Sequence, residues 1–233
     1  MTPAVGNNCG SLDEFPLYGW ELDVRRNFLN GCEPILKNLP SQAALVRTAP
    51  ILLSQEAVSE ENFRSRFATN ITALERDGHH LVRETVACLN RDYSSLGTFV
   101  PGRKEFQGLS SCLDDILEAI EEAAFRLSAC RCQRLAEGVP RLCGCLASCA
   151  DGIYAAVNEM VQGTGPTSAS SAIRLLAKRA DDLARTVLLD LFSNEDDAIV
   201  LLKDKEICDL LAQTVKLCED TAKQFDVMET SRV

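Results

Sequence analysis

Aromatic residues are scarce in this chain: they make up 6% of its 233 residues, with a single tryptophan, Trp20. A core so poor in rings must be filled mainly by Leu, Ala, Val and Ile. Leu and Ala lead the helix propensity ranking, whereas aromatics enrich strands, so an all-α fold is expected. Histidine is scarcer still, with only His79 and His80. A di-iron carboxylate bundle draws Glu-x-x-His pairs from two helices, which two adjacent histidines cannot supply within one chain. No GxSxG, Walker loop, Rossmann fingerprint or HExxH occurs either. The chain reads as a non-enzyme.

Long apolar runs are missing too. No stretch of about 18 consecutive apolar residues appears, so no membrane insertion is expected. Positive charge is in deficit, with 24 Lys and Arg against 34 Asp and Glu and a net charge of −10. Such a chain repels phosphate backbones and anionic headgroups, which argues against nucleic acid as a partner. Cation binding and docking on a basic partner stay compatible. The opening MTPAVGNNCGSLDEF has neither a basic leader nor an apolar core. A reducing cytoplasm is therefore expected, with most of the eleven cysteines free.

What is there is helical periodicity. Residues 1–31, punctuated by Pro3, Gly6, Gly10, Pro16 and Gly19, read as an irregular arm with one short helix near 20–28. A first helix is expected over 34–53, broken near Pro40 and Pro50, and a second from Ser59 to about 89. In the second, Phe63, Phe67, Ile71, Leu74, Leu81, Val82 and Leu89 follow the spacing of one buried face. Residues 90–101 read as a loop. Further helices are expected over 103–127, 130–161 (with a dent at Gly138 and Pro140), 172–192 and 204–225. GTGPTSASS is the clearest linker. The boundaries predicted are an arm at 1–31, a first unit at 32–161 read as four helices, a linker at 162–171 and the remaining helices at 172–228. Residues 32–228 would form a single domain.

The halves repeat. LERDGHHLVRETVACL from Leu74 aligns with LAKRADDLARTVLLDL from Leu176, pairing Leu81 with Leu183 and Arg83 with Arg185. LDDILEAIEEAAF from Leu113 aligns with LAQTVKLCEDTAK from Leu211, pairing Glu121 with Glu219 and Glu122 with Asp220. The two alignments differ in offset by four residues, as a change of loop length would produce. A duplicated three-helix unit is implied.

In serial order, LERDGHHLVRETVACLN, LSSCLDDILEAIEEAAFRL, RADDLARTVLLDLF and IVLLKDKEICDLLAQTVKLCEDTAKQF resemble the PhoU-like family of phosphate-transport accessory proteins. The likeness runs over about residues 35–228. It implies two tandem antiparallel three-helix bundles and a regulatory, non-enzymatic role. It also implies metal binding through acidic i,i+4 pairs, which share a helix face. Carried over, the first pair falls on Glu75 and His79, and the second on Asp114 and Glu118, with Asp115 and Glu121 alongside. In the second half the counterparts are Ala177 with Asp181 and Ala212 with Lys216, so the ligand pattern is kept in one half and eroded in the other. A histidine among carboxylates favours a divalent or iron-type ion such as zinc, iron or nickel over magnesium. His79 and His80 diverge by about 100° on a helix, so one at most can join. Acidic i,i+4 pairs are also commonly plain solvated surface.

Cys130, Cys132, Cys143, Cys145 and Cys149 form a second constellation. Neighbours two apart on a helix diverge by about 200°, so neither Cys-x-Cys converges on a continuous helix; only Cys145 and Cys149 share a face. With Gly144, Ala147, Ala150 and Gly152 between and after them, close helix packing explains the cluster more simply than a thiolate site.

The reading is an adaptor of inorganic phosphate transport. By resemblance its partner would be a Pit-type phosphate transporter, met at the inner face of the membrane through basic cytoplasmic loops. The alternatives are a metal-binding storage or sensing bundle without a transporter, and a purely structural helical adaptor. Homo-oligomerisation stays open.

Overall fold

Pro40 and Pro50, at which the sequence reading breaks the first helix, sit inside one continuous helix, α1, Glu33–Val58. Each proline removes a backbone donor at a cost of about 3 kcal/mol. The stripe Ile35, Leu39, Ala43, Val46, Ala49, Leu53 and Ala57 offsets that cost, because every member is buried at helical spacing. The computed structural model describes residues 33–96, 103–130, 135–162 and 167–230. The expected N-terminal arm lies outside the described residues.

Five further helices follow: α2 Glu61–Leu96, α3 Arg103–Ala129, α4 Gly138–Gln162, α5 Thr167–Asn194 and α6 Ala198–Thr230. No strand occurs among the described residues. Helix α2 continues through residues 90–96, where a loop is expected from the sequence. Helix α4 starts at Gly138 and not at 130, because Cys130 closes the end of α3, its amide bonding the Arg126 carbonyl at 2.9 Å. Pro140 falls in the first turn of α4, where a missing N–H costs nothing. Helix α5 starts inside the expected linker, at Thr167. Helix α6 starts six residues before the expected 204 because Asp197 caps it. The Asp197 Oδ1 accepts from the amides of Ile199 (2.8 Å) and Val200 (3.3 Å).

Residues from Pro34 onward form one compact unit. Within it α2 packs on α3, and α4, α5 and α6 pack on one another. Helix α1 joins the first group: Asn38 donates to Thr85 of α2 at 3.4 Å, and Ser110 of α3 donates to Gln42 at 2.9 Å. The two groups of three meet along α3 and α6, which run antiparallel. Gln224 reaches the Glu105 carbonyl at one end of that contact, and Arg126 pairs with Glu206 at the other. Arg47 of α1 adds a second bridge, to Asp151 of α4 at 2.7 Å, with its guanidinium 5.0 Å over the Tyr154 ring. Two three-helix units are the architecture observed; α4 packs with α5 and α6, so the first unit holds three helices and not the four read from the sequence over 32–161.

Candidate acidic seam

The seam between α2 and α3 is where the sequence reading converges. On it Asp114 Oδ2 lies 3.2 Å from the His79 ring nitrogen Nδ1. Seven residues away on each helix, in opposite directions, Thr72 donates to Glu121 at 2.9 Å. The helices are therefore antiparallel and in register. Glu75, midway on α2, stands across from Glu118, midway on α3. The contacts across the seam include His79 with Asp114 and Thr72 with Glu121.

Burial grades along this seam. His79 and Glu118 are exposed, whereas Glu75, Asp114 and Glu121 are half-buried. The second Asp114 oxygen, Oδ1, is shut away from water with no hydrogen-bond partner. An unpartnered buried carboxylate oxygen is costly, and nothing within the fold relieves it. Asp115 points elsewhere, one residue and about 100° round the helix. With Glu118 and Glu122 it lines a groove of about 270 Å³ against Leu210, Gln213, Thr214 and Leu217 of α6. Partial burial, then the neighbouring Asp114 charge, push the Asp115 carboxyl above its ordinary range.

The six expected ligands thus divide. Glu75, His79, Asp114 and Glu121 belong to the α2–α3 seam, Asp115 belongs to the α3–α6 groove, and Glu118 borders both. Among the described residues no three His, Cys, Asp or Glu side chains converge as a ready metal cage. Of the six, His79 and Asp114 are the pair in hydrogen-bond contact across the seam among the described residues.

The second half shows what eroded positions become. Ala177 is buried, and Asp181 pairs with Arg185 at 2.9 Å. Glu219 pairs with Lys223 at 3.3 Å, and Asp220 with the same lysine at 2.8 Å. The cation at 216 is exposed and is the partner of neither Asp181 nor Glu219 in these pairs. The partners, Arg185 and Lys223, stand one turn along the same helices as the carboxylates they hold.

A buried polar cluster escaped the sequence reading. Glu56 of α1 is 0% exposed with neither carboxylate oxygen partnered. Arg64 of α2, Asp204 and Cys208 of α6, and Cys143 of α4 are also buried. Glu56 and Cys208 both bear on Cys143, and Arg64 acts on both Glu56 and Asp204. Asp204 accepts from the Ala136 amide at 3.0 Å with one oxygen, and its other is unpartnered. The signal was present: Glu56 is three residues past Leu53 and one before Ala57, on the stripe that faces the core.

The cysteines that pack between helices are free. Cys143, Cys149, Cys208 and Cys218 are buried, and Cys149 of α4 lies against Cys218 of α6. Cys130 is half-buried, and Cys132 lies outside the described residues.

No family model matches the chain. A curated relative, the UPF0111 protein YkaA of Bacillus subtilis (strain 168), is 22% identical over 174 residues, 73% of this chain and 82% of that protein. Two solved structures from Shewanella oneidensis MR-1 share the fold. One, named as a PhoU-like phosphate regulatory protein, superposes with a TM-score of 0.69 at 17% identity. The other, named as a PhoU-like protein, superposes with a TM-score of 0.67 at 17% identity. Each match covers 85% of this chain and 100% of its counterpart. The resemblance read from four helical segments is borne out as fold: the structural neighbours are PhoU-like.

Proposed function

We propose that this chain of PhoU-like fold is a non-enzymatic regulator of inorganic phosphate transport, acting as a helical adaptor at a phosphate transporter. The supporting observation is that all of a neighbour named as a phosphate regulatory protein is matched by this chain's own helices. Among the described residues no helix is long and apolar enough to cross a membrane, so contact with a transporter would run through its protruding loops. The carboxylates along the α2–α3 seam suit loops rich in Lys and Arg, a composition typical of cytoplasmic loops, which favours a contact on that side. Deleting the chain and measuring phosphate uptake tests the reading, together with co-purification from native membranes. Altered uptake and recovery of a phosphate permease are expected. Unchanged uptake with no permease recovered removes the adaptor.

One observation favours a second reading, a metal-binding sensor or storage bundle. The Asp114 Oδ1 atom has a hydrogen-bonding capacity that the protein leaves unused. His79 and Asp114, with Glu75 and Glu118 across the seam, would hold a zinc-, iron- or nickel-type ion. Bound there, the ion would supply positive charge that neutralises the carboxylates and ties α2 to α3.

A further inference from the structure

The connection between α5 and α6 takes no part in the acidic seam, yet it concentrates exposed apolar surface. Leu189 and Phe192 on the last turns of α5 are 69% and 63% exposed. Ile199 and Leu202 on the first turns of α6 are 65% and 62% exposed. Single exposed apolar side chains are ordinary; four within fourteen residues of one hairpin tip mark an interaction surface. They are not spare core, because Val187 and Leu191 on α5 and Ile207 on α6 already fill the inward side.

The same fourteen residues carry Asp190, Glu195, Asp196 and Asp197 and no Lys or Arg. Two of these acids have a local structural role. Asp197 caps α6, and Glu195 accepts from the Asp197 amide at 2.9 Å. Asp190 and Asp196 are exposed and enter no ion pair among the described residues. Leu202 also opens a groove of about 470 Å³ running along α6 past Lys205, Glu206, Asp209, Leu210 and Gln213. Lys205 pairs with Asp209 at 2.5 Å and Arg126 with Glu206, so the charges flanking the groove are matched beside Leu202 and Leu210.

We propose that this tip and groove form a docking surface for a basic amphipathic helix of another protein. Its apolar stripe would cover Leu189, Phe192, Ile199 and Leu202, and its Lys and Arg would meet Asp190 and Asp196. A second copy fits poorly: a two-fold contact would set the four acids against themselves. An anionic membrane fits poorly for the same reason of sign. The inference stands without the transport reading, since it fixes the chemistry of the partner and not its identity.

The test titrates the full chain with a Leu/Lys helical peptide whose leucines follow i, i+3, i+4 spacing, and with a scrambled peptide of the same composition. Amide NMR shifts are expected to be confined to residues 189–213. Phe192→Ser and Asp196→Lys should each weaken binding about tenfold or more, and the scrambled peptide should bind about tenfold more weakly still. Phe125→Ser, at a 56% exposed phenylalanine on α3, should leave the affinity unchanged. These substitutions lie on the surface, and circular dichroism checks that each variant is folded. Shifts centred on the α2–α3 seam, equal binding of the scrambled peptide, or no binding at millimolar peptide would overturn the proposal. So would self-association, or binding of anionic vesicles, that disappears in Phe192→Ser.

Discussion

At Glu56 the fold buries a carboxyl whose oxygens have no hydrogen-bond partner among the described residues. Burial pushes the group up to about 8, with Arg64 pulling the other way. The folded chain therefore keeps a proton on Glu56 over a pH range in which the unfolded chain has lost it. The stability this carries is full below the unfolded pKa of 4.5 and drains away as pH rises through about 8. Cys143 and Cys208 beside it are raised to about 12 and stay neutral across that window. Asp204 is raised mainly by burial and acts with the same sign. Glu56→Gln keeps the shape and removes the titration. In urea unfolding the variant should match wild type near pH 4 and exceed it near pH 9, by on the order of a few kcal/mol. A variant less stable than wild type at pH 9 would mean that the ionised carboxylate has a stabilising partner. Asp114 poses a different question, a half-buried carboxylate with one oxygen shut away from water and unpartnered among the described residues. If a cation resolves it, metal per chain should fall in Asp114→Ala and in Glu75→Ala and stay constant in Asp181→Ala, whose parent carboxylate is held by Arg185. Loss on Asp181→Ala would put the site in the other half. Near-zero metal in every variant and in wild type would leave the seam as a docking or solvated surface.

Helix contacts here depend on backbones approaching where no side chain fits. Gly78 faces Leu117 across the α2–α3 seam, and a methyl group there would lie 2.4 Å from the leucine Cδ1. Leucine can rotate away. Gly138 at the start of α4 has a stiffer neighbour: an added Cβ would meet the Val187 Cγ2 at 1.9 Å and its Cβ and Cγ1 at 3.0 Å. A β-branched side chain has little rotamer freedom to yield, so α4 or α5 must shift as a body. Gly138→Ala should cost about 1–3 kcal/mol, more than Gly78→Ala, despite alanine's better helix propensity. Equal midpoints of thermal unfolding for wild type and Gly138→Ala would show that the α4–α5 contact is looser than described. These contacts also explain which parts of the fold were legible in the sequence. The repeat of α2–α3 in α5–α6 pointed to the two units, and the apolar stripe read on α2 is buried at Ile71 and Leu89. Helix ends were less legible. Prolines 40 and 50 argue locally for a break that tertiary burial overrides, and the serines of the linker argue for coil where α5 has already begun. The seam was half legible. The family resemblance singled out His79 and Asp114, but which aspartate of Asp114 and Asp115 turns to α2 depends on where α6 packs, which no local pattern encodes.

Across the described residues the cysteines report how cooperatively six helices close. Cys143 and Cys149 lie on α4 and Cys208 and Cys218 on α6, and all four are buried. Helix α6 packs on α3, α4 and α5, so it links the two three-helix units. Exposing its thiols requires more than fraying one helix end. Cys88, Cys112 and Cys145 are half-buried and lie on α2, α3 and α4. Reaction with a thiol reagent requires both access and thiolate, and burial withholds both at once. With Cys143 and Cys208 held near 12, their thiolate fraction at pH 8 would be about 10⁻⁴ even if reagent reached them. The expectation is two kinetic classes in site-resolved mass spectrometry. Cys88, Cys112 and Cys145 should label in the native protein, while the four buried thiols label slower by about a thousandfold or more, at rates tied to opening of the core. Raising urea should accelerate the four together, because α4 and α6 share one interface. If Cys143 and Cys149 label well before Cys208 and Cys218, then α4 detaches as a unit of its own. If all four label at native rates matching Cys145, the helices do not enclose a common core.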